Sequence, residues 1–173
     1  MGKGVVLVTG SNRGIGRSTI IEFAKAGLDV VINYCHHEEE AIELEREILD
    51  NYDVNCMVVQ ADVSDEEEVI HMVNEIVDRF GTIDILVNNA SVCRDTLFMD
   101  KEVLAFKRIL DVKLIGTYLW RKYVTKIMME NGRGKIINVS STNAIDTYYP
   151  ESCDYDASKA GVISLTHNMA REF

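Results

Sequence analysis

Apolar and polar positions along the chain alternate between short apolar runs and longer stretches of helical period. Val5-Val6-Leu7-Val8 is wholly apolar and mostly β-branched, as expected of a parallel strand buried on both faces. Similar runs predict strands at 29–34, 56–60, 83–87 and 135–139. Between them, Ile20, Phe23 and Ala24 mark a first helix that Gly27 stops. Ala41, Leu44 and Ile48 share one face of a second helix, with Glu38, Glu39 and Glu40 at its start, where acidic groups suit the helix dipole. A third helix opens with Ser64 and Glu67, spaced as a capping box. It continues through Val69, Met72, Val73, Ile76, Val77 and Phe80 and ends at Gly81. Residues 101–130 read as a long helical segment, two helices joined at a bend and stopped by Asn131-Gly132. A polar loop through Tyr148-Tyr149-Pro150 precedes a last helix, predicted from near Asp154 to Phe173.

Strand and helix alternate through five strands with short connections. The expected α/β fold is a doubly wound parallel sheet with right-handed crossovers and helices on both faces. The 173 residues suit a single domain, 1–173. In such sheets ligands bind outside the carboxyl ends of the strands. The polar clusters fall there: the turn after the first strand, Asp62, Asn88-Asn89 and Ser140-Ser141.

That first turn, Thr9-Gly10-Ser11-Asn12-Arg13-Gly14-Ile15-Gly16, is the strongest candidate binding element. Glycine lets the backbone turn sharply and approach a pyrophosphate, and the free N–H groups of the following helix favour an anion. A strand, a glycine turn and a helix in this order make a dinucleotide site. A carboxylate ending the second strand would accept the ribose 2′-OH of NAD. Tyr34 holds that place, followed by Cys35 and His36. Arg13 offers its fork of donors to a 2′-phosphate, so NADP is favoured over NAD.

Composition narrows the partners. A net charge of −10 disfavours nucleic acid. No apolar run is long enough to span a bilayer, and the N-terminal residues do not form a signal-peptide core. The four cysteines, Cys35, Cys56, Cys93 and Cys153, are widely spaced, as expected of free thiols in a reducing cytoplasm. No metal-ligand spacing is evident.

A second constellation opens the last helix: Tyr155 and Lys159, four apart and so on one face. Reduction of a carbonyl requires a proton donor at its oxygen. Free tyrosine titrates near ~10, and bringing it to neutrality takes roughly 4 kcal/mol. One ammonium at ~4 Å, at an effective dielectric of about 20, supplies about that much. Ser141, after the fifth strand, can donate a hydrogen bond to the same oxygen.

The ordered set Thr9-Gly10 to Gly16, Asp62-Val63, Asn88-Asn89-Ala90, Ser141 and Tyr155 with Lys159 resembles the short-chain dehydrogenases/reductases along the whole chain. The nearest likeness is to 3-oxoacyl-(acyl-carrier-protein) reductases and glucose dehydrogenase-like members. The resemblance implies a Rossmann fold, a nicotinamide cofactor and catalytic Ser141, Tyr155 and Lys159. It implies that Gly10, Ser11, Asn12, Arg13, Gly14, Ile15, Gly16, Asp62, Val63, Asn89, Ala90, Tyr155 and Lys159 meet the cofactor. Thr9 and Asn88 are implied to brace the strands, and a small carbonyl compound, free or acyl-carrier-bound, to be the substrate.

Three departures follow. Ser91 stands where the family has glycine after Asn-Asn-Ala, and Lys113 where it has a catalytic asparagine. The asparagine is implied to bend a helix and hold a proton-relay water. Lysine would straighten the helix and set a second ammonium near Lys159, unless its stem carries the charge out to solvent. The family's later strands and substrate lid are also not present, so the domain is expected to be truncated at its C-terminus. Three readings stay open: an NADP-dependent carbonyl reductase, a nucleotide-binding module without turnover, and the N-terminal part of a longer reductase. By resemblance a homodimer is expected, through the helix bearing Val112, Ile115, Leu119 and Tyr123 and through the last helix.

Overall fold

A computed structural model describes residues 3–147 and 149–172. Tyr148 of the predicted loop, Phe173 at the predicted end of the last helix, and Met1-Gly2 lie outside the described residues. Five parallel strands, β1 (Val5–Val8), β2 (Asp29–Tyr34), β3 (Cys56–Gln60), β4 (Ile85–Asn88) and β5 (Lys135–Asn138), form one sheet in the order β3-β2-β1-β4-β5. The order reverses beside β1, so the crevice opens between the carboxyl ends of β1 and β4. Leu7 is in register with Val31 and Leu86.

Among the described residues six α-helices cover the sheet: α1 (Gly14–Lys25), α2 (Glu38–Asn51), α3 (Glu66–Phe80), α4 (Val103–Leu110), α5 (Gly116–Glu130) and α6 (Cys153–Glu172). The period-2 alternation of the strands divides the core into two layers. Val6, Val8, Val30 and Ile32 pack on Ile20, Ala41, Leu44 and Ile48 of α1 and α2. Val5, Leu7, Val31 and Leu86 pack on Val69, Met72, Ile76, Trp120 and Val124 of α3 and α5. Gly27, Gly81 and Gly132 take the left-handed backbone that ends α1, α3 and α5, as predicted.

Four expectations are corrected. The cap of α3 is Asp65, whose carboxylate accepts from the Glu67 and Glu68 N–H groups; Ser64 instead donates to Asp62. A carboxylate one residue closer to the helix outcompetes the hydroxyl. The fourth and fifth strands run 85–88 and 135–138 instead of 83–87 and 135–139. The bend after α4 is a π segment, Asp111–Ile115, which joins α4 to α5 without a break; the Gly116 N–H donates to Asp111 C=O, five residues back. Lys113 sits inside it, so lysine does not restore a regular helix. Finally, Val112 and Leu119, assigned to a dimer face, are buried in this chain's own core, with Tyr123 packed against it. The inserted residue turns the outward face to Ile115 and Tyr118.

Candidate active site

The turn from β1 to α1 depends on glycine at two positive-φ positions, Gly10 at 60° and Gly14 at 58°. Gly16 has a different constraint. A Cβ there would stand 2.5 Å from Gly10 C=O and 2.6 Å from Asn89 Nδ2, so only hydrogen lets the helix start lie against the turn. Thr9 Oγ1 accepts from the N–H groups of Asn89 and Ala90, each at 3.0 Å. Asn89 Nδ2 donates back to the carbonyls of Thr9 and Gly10. The β1 and β4 ends are thus tied together, the bracing role expected of Thr9. Asn88 donates to Asn138 Oδ1 across β4 and β5, also as bracing.

A cavity of about 330 Å³ lies over this turn. Of the residues expected to meet a cofactor, Gly10, Asn12, Arg13, Gly14, Ile15, Asp62, Val63, Asn89 and Ala90 line it. Ser11 and Gly16 are buried and lie outside its lining; Ser11 Oγ accepts from the Asn33 N–H at 3.2 Å. Arg13 leaves α1 uncapped by any side chain, and among the described residues nothing beyond the adjoining chain stands within 4 Å of where a Gly14 Cβ would be. Bare backbone, an open helix N-terminus and an adjoining cavity fit a pyrophosphate. Tyr34 is buried and hydrogen-bonded to Glu38; burial pushes its phenol up from the ordinary 10.0. The cavity wall beyond β2 is made by Cys35, His36 and His37.

The Asp62 carboxylate accepts three bonds that its motif did not signal, one of them from the Ser64 N–H at 2.9 Å. Its Oδ1 accepts from Ser64 Oγ at 2.6 Å, and its Oδ2 pairs with Arg108 at 2.7 Å. Burial opposes its charge, but these partners outweigh burial and hold the carboxyl below its ordinary 3.8. Two further residues of the wall escaped the sequence reading. Arg108 shows no signal of its own. Asn33 does: it is a polar residue inside an apolar strand, and its Oδ1 accepts from the Gly10 N–H at 3.0 Å. Ser91, in the family's glycine position, is exposed on the same wall.

The second constellation lies at the next strand end. Ser141 caps a short turn, Thr142–Ala144, and accepts from the Asn143 N–H. Ser141 and Tyr155 open onto one cavity of about 450 Å³, with Tyr149, Cys93 and Asp95 on its walls. Lys159 is buried one turn along α6; its ammonium donates to Val139 C=O at 2.6 Å and lies 6.0 Å from the Tyr155 ring centroid. Burial pulls Lys159 below its ordinary 10.5. So the structure brings together the three residues expected to be catalytic.

Lys113 enters from the π segment and does not reach solvent. It is 1% exposed, and its Nζ lies over the Tyr155 ring, 3.6 Å from the centroid. Burial, with the Lys159 charge contributing against the pull of Cys93, Asp95 and Asp154, lowers its pKa to about 8. The expected crowding of two ammonium groups is present; the expected escape to solvent is not.

A glycine-turn cavity and a Ser-Tyr-Lys cluster stand at adjoining strand ends of a five-stranded parallel sheet, and the family model described as short chain dehydrogenase matches residues 4–173. The chain belongs to that family. It is 38% identical over 168 residues to a 3-oxoacyl-[acyl-carrier-protein] reductase of Synechocystis, covering 97% of this chain and 67% of that one. It is 40% identical over 167 residues to the Staphylococcus aureus protein of the same name, covering 96% and 67%. Among solved structures it resembles levodione reductase, with a TM-score of 0.93 at 31% identity, covering 98% of this chain and 66% of that one. A short-chain dehydrogenase/reductase of Serratia marcescens gives 0.92 at 27% identity, covering 98% and 68%. The chain thus spans about two thirds of the length of these relatives.

Proposed function

We propose that this chain forms the cofactor and proton-donor half of an NADP(H)-dependent reductase of ketones, with 3-oxoacyl thioesters on an acyl carrier as the substrate class. The observation that carries the reading is the convergence of Ser141 and Tyr155 on one cavity, with Lys159 buried behind the tyrosine. The two curated relatives named above, 38% and 40% identical, support the substrate class.

A nicotinamide held in this crevice would supply hydride. The chain's residues do the rest. The N-terminus of α1 and the turn from Gly10 to Gly16 hold the pyrophosphate, and Arg13 takes the 2′-phosphate. Asp62, Val63, Asn89 and Ala90 hold the adenosine side. Ser141 Oγ donates a hydrogen bond to the substrate's carbonyl oxygen and fixes its place. Tyr155 gives its hydroxyl proton to that oxygen as negative charge develops there. Lys159, anchored by Val139, keeps a positive charge behind the phenol and stabilises the phenolate that remains. A cytoplasmic place of work, with Cys35, Cys56, Cys93 and Cys153 as free thiols, is part of the same reading. So is a homodimer.

NADPH oxidation with 3-oxoacyl thioesters tests it. Tyr155→Phe should lower kcat by about 100-fold or more, leaving NADPH affinity within a few-fold. Unchanged kcat would assign the chemistry elsewhere. Nucleotide binding with no turnover in wild type would favour the second reading, a binding module. Calorimetry should give tighter NADP(H) than NAD(H), a difference Arg13→Ala removes; an NAD preference would overturn the cofactor assignment.

A further inference from the structure

Lys113 lies in the site but outside the roles assigned above. Its ammonium is buried, and no hydrogen-bond acceptor among the described residues reaches it. A buried ammonium without an acceptor is costly, and chains rarely retain one without compensation. The polar groups around it do not bond to it. On α6, Asp154 Oδ1 is held by Lys101 through a buried ion pair of 2.6 Å while its Oδ2 has no hydrogen-bond partner among the described residues, and Lys159 is held by Val139. In the loop after β4, Cys93 donates to Asp95 at 3.1 Å. What Lys113 does touch is the face of the Tyr155 ring. The π segment makes this contact possible. The inserted residue redirects the helix face, and Thr117 Oγ1 donates to Lys113 C=O at 2.7 Å, fixing the backbone from which the stem departs.

We infer that Lys113 is a positioning residue that works through Tyr155: its ammonium pins the ring by a cation–π contact and stabilises the phenolate formed when the hydroxyl gives up its proton. The inference rests on the role proposed for Tyr155. A neutral phenol ring attracts the cation moderately. A phenolate attracts it more, because the ring then carries a full negative charge. The contact is therefore stronger after proton donation than before it, the condition for an interaction to assist the chemical step. Lys113 and Lys159 act from different elements and distances, 3.6 Å and 6.0 Å from the ring centroid. The second ammonium near Lys159 thus supports the phenolate through the Tyr155 ring. The support depends on Lys113 keeping its own proton. Asp95 and Asp154 favour the charged form, while Lys159 opposes it.

The phenolate can be read without turnover. Protein labelled with carbon-13 at tyrosine Cζ reports ionisation by NMR, and Tyr155→Phe assigns the resonance. In Lys113→Met the Tyr155 midpoint should move to higher pH by about 1–2 units. Lys113→Arg, which keeps a cation, should recover at least half of that shift. A midpoint unchanged in folded Lys113→Met overturns the inference, as does a shift that Lys113→Arg does not reduce. If Lys113→Met does not fold, Lys113→Gln takes its place with the same two outcomes. Failure of the proposed function has a different signature: Tyr155→Phe would retain turnover while the Lys113 shift persisted.

Discussion

Lys113 makes burial and charge compete, and the competition has a thermodynamic consequence apart from any chemistry. Its pKa is about 8 in the folded chain against an ordinary 10.5. Below about 8 the group is charged in both folded and unfolded chains, and the desolvation penalty is fully present. Between 8 and 10.5 the unfolded chain holds more protons, so stability rises with pH across that window. The separation corresponds to about 3 kcal/mol. Lys113→Met should therefore raise stability to urea at pH 7 by up to about 3 kcal/mol, a gain that shrinks steadily toward pH 10.5. A pH-independent difference would show that the ammonium carries no net burial penalty. At this scale the sequence was informative about identity and silent about direction. Tyr155 and Lys159 stood out by their spacing and Ser141 by its place after the fifth strand, while the oddity of lysine at 113 showed only through the family resemblance. Nothing in the sequence told whether the stem of Lys113 turns inward, because that depends on the register of a π segment.

Secondary elements were legible where one physical signal dominated. Buried parallel strands read directly as β-branched runs, and the period of α3 was unbroken. Ends were decided by local competition, as between Ser64 and Asp65 for the α3 cap. The π segment has no pattern to read, since one extra residue in a turn leaves apolar spacing almost unchanged. The junction of β1 with α1 is the most constrained of these elements. Gly16→Ala would place its new methyl 2.5 Å from a backbone oxygen and 2.9 Å from Ser11 Cα, neither of which is a flexible side-chain end. The turn must open. The expected cost is about 2–3 kcal/mol, together with at least a tenfold loss of nucleotide affinity. Denaturation in urea and calorimetric titration check the two parts. A variant as stable as wild type that binds normally would mean that the turn and helix can separate at no cost.

The whole molecule shows apolar side chains to solvent along α4 and its continuation: Val103, Leu104, Ile115 and Tyr118, with Leu104 77% exposed. Light scattering at micromolar protein should give the mass of a homodimer, and Leu104→Glu with Val103→Glu should lower it to that of a monomer. A monomer mass in wild type would contradict the assembly proposed. The sheet has a consequence of another kind. Among the described residues β1 is paired on both sides and fully buried, whereas β5 is paired only with β4 and alternates between exposed and half-exposed residues. The nucleotide turn follows β1, and Ser141 follows β5. The site therefore spans a gradient of local opening, in which its two ends come apart at different free energies. Amide hydrogen exchange should place the protons of β5 well ahead of those of β1, and low urea should widen the gap. The nucleotide end should keep its form after the proton-donating end has loosened, so binding should outlast catalysis as the chain is gradually destabilised.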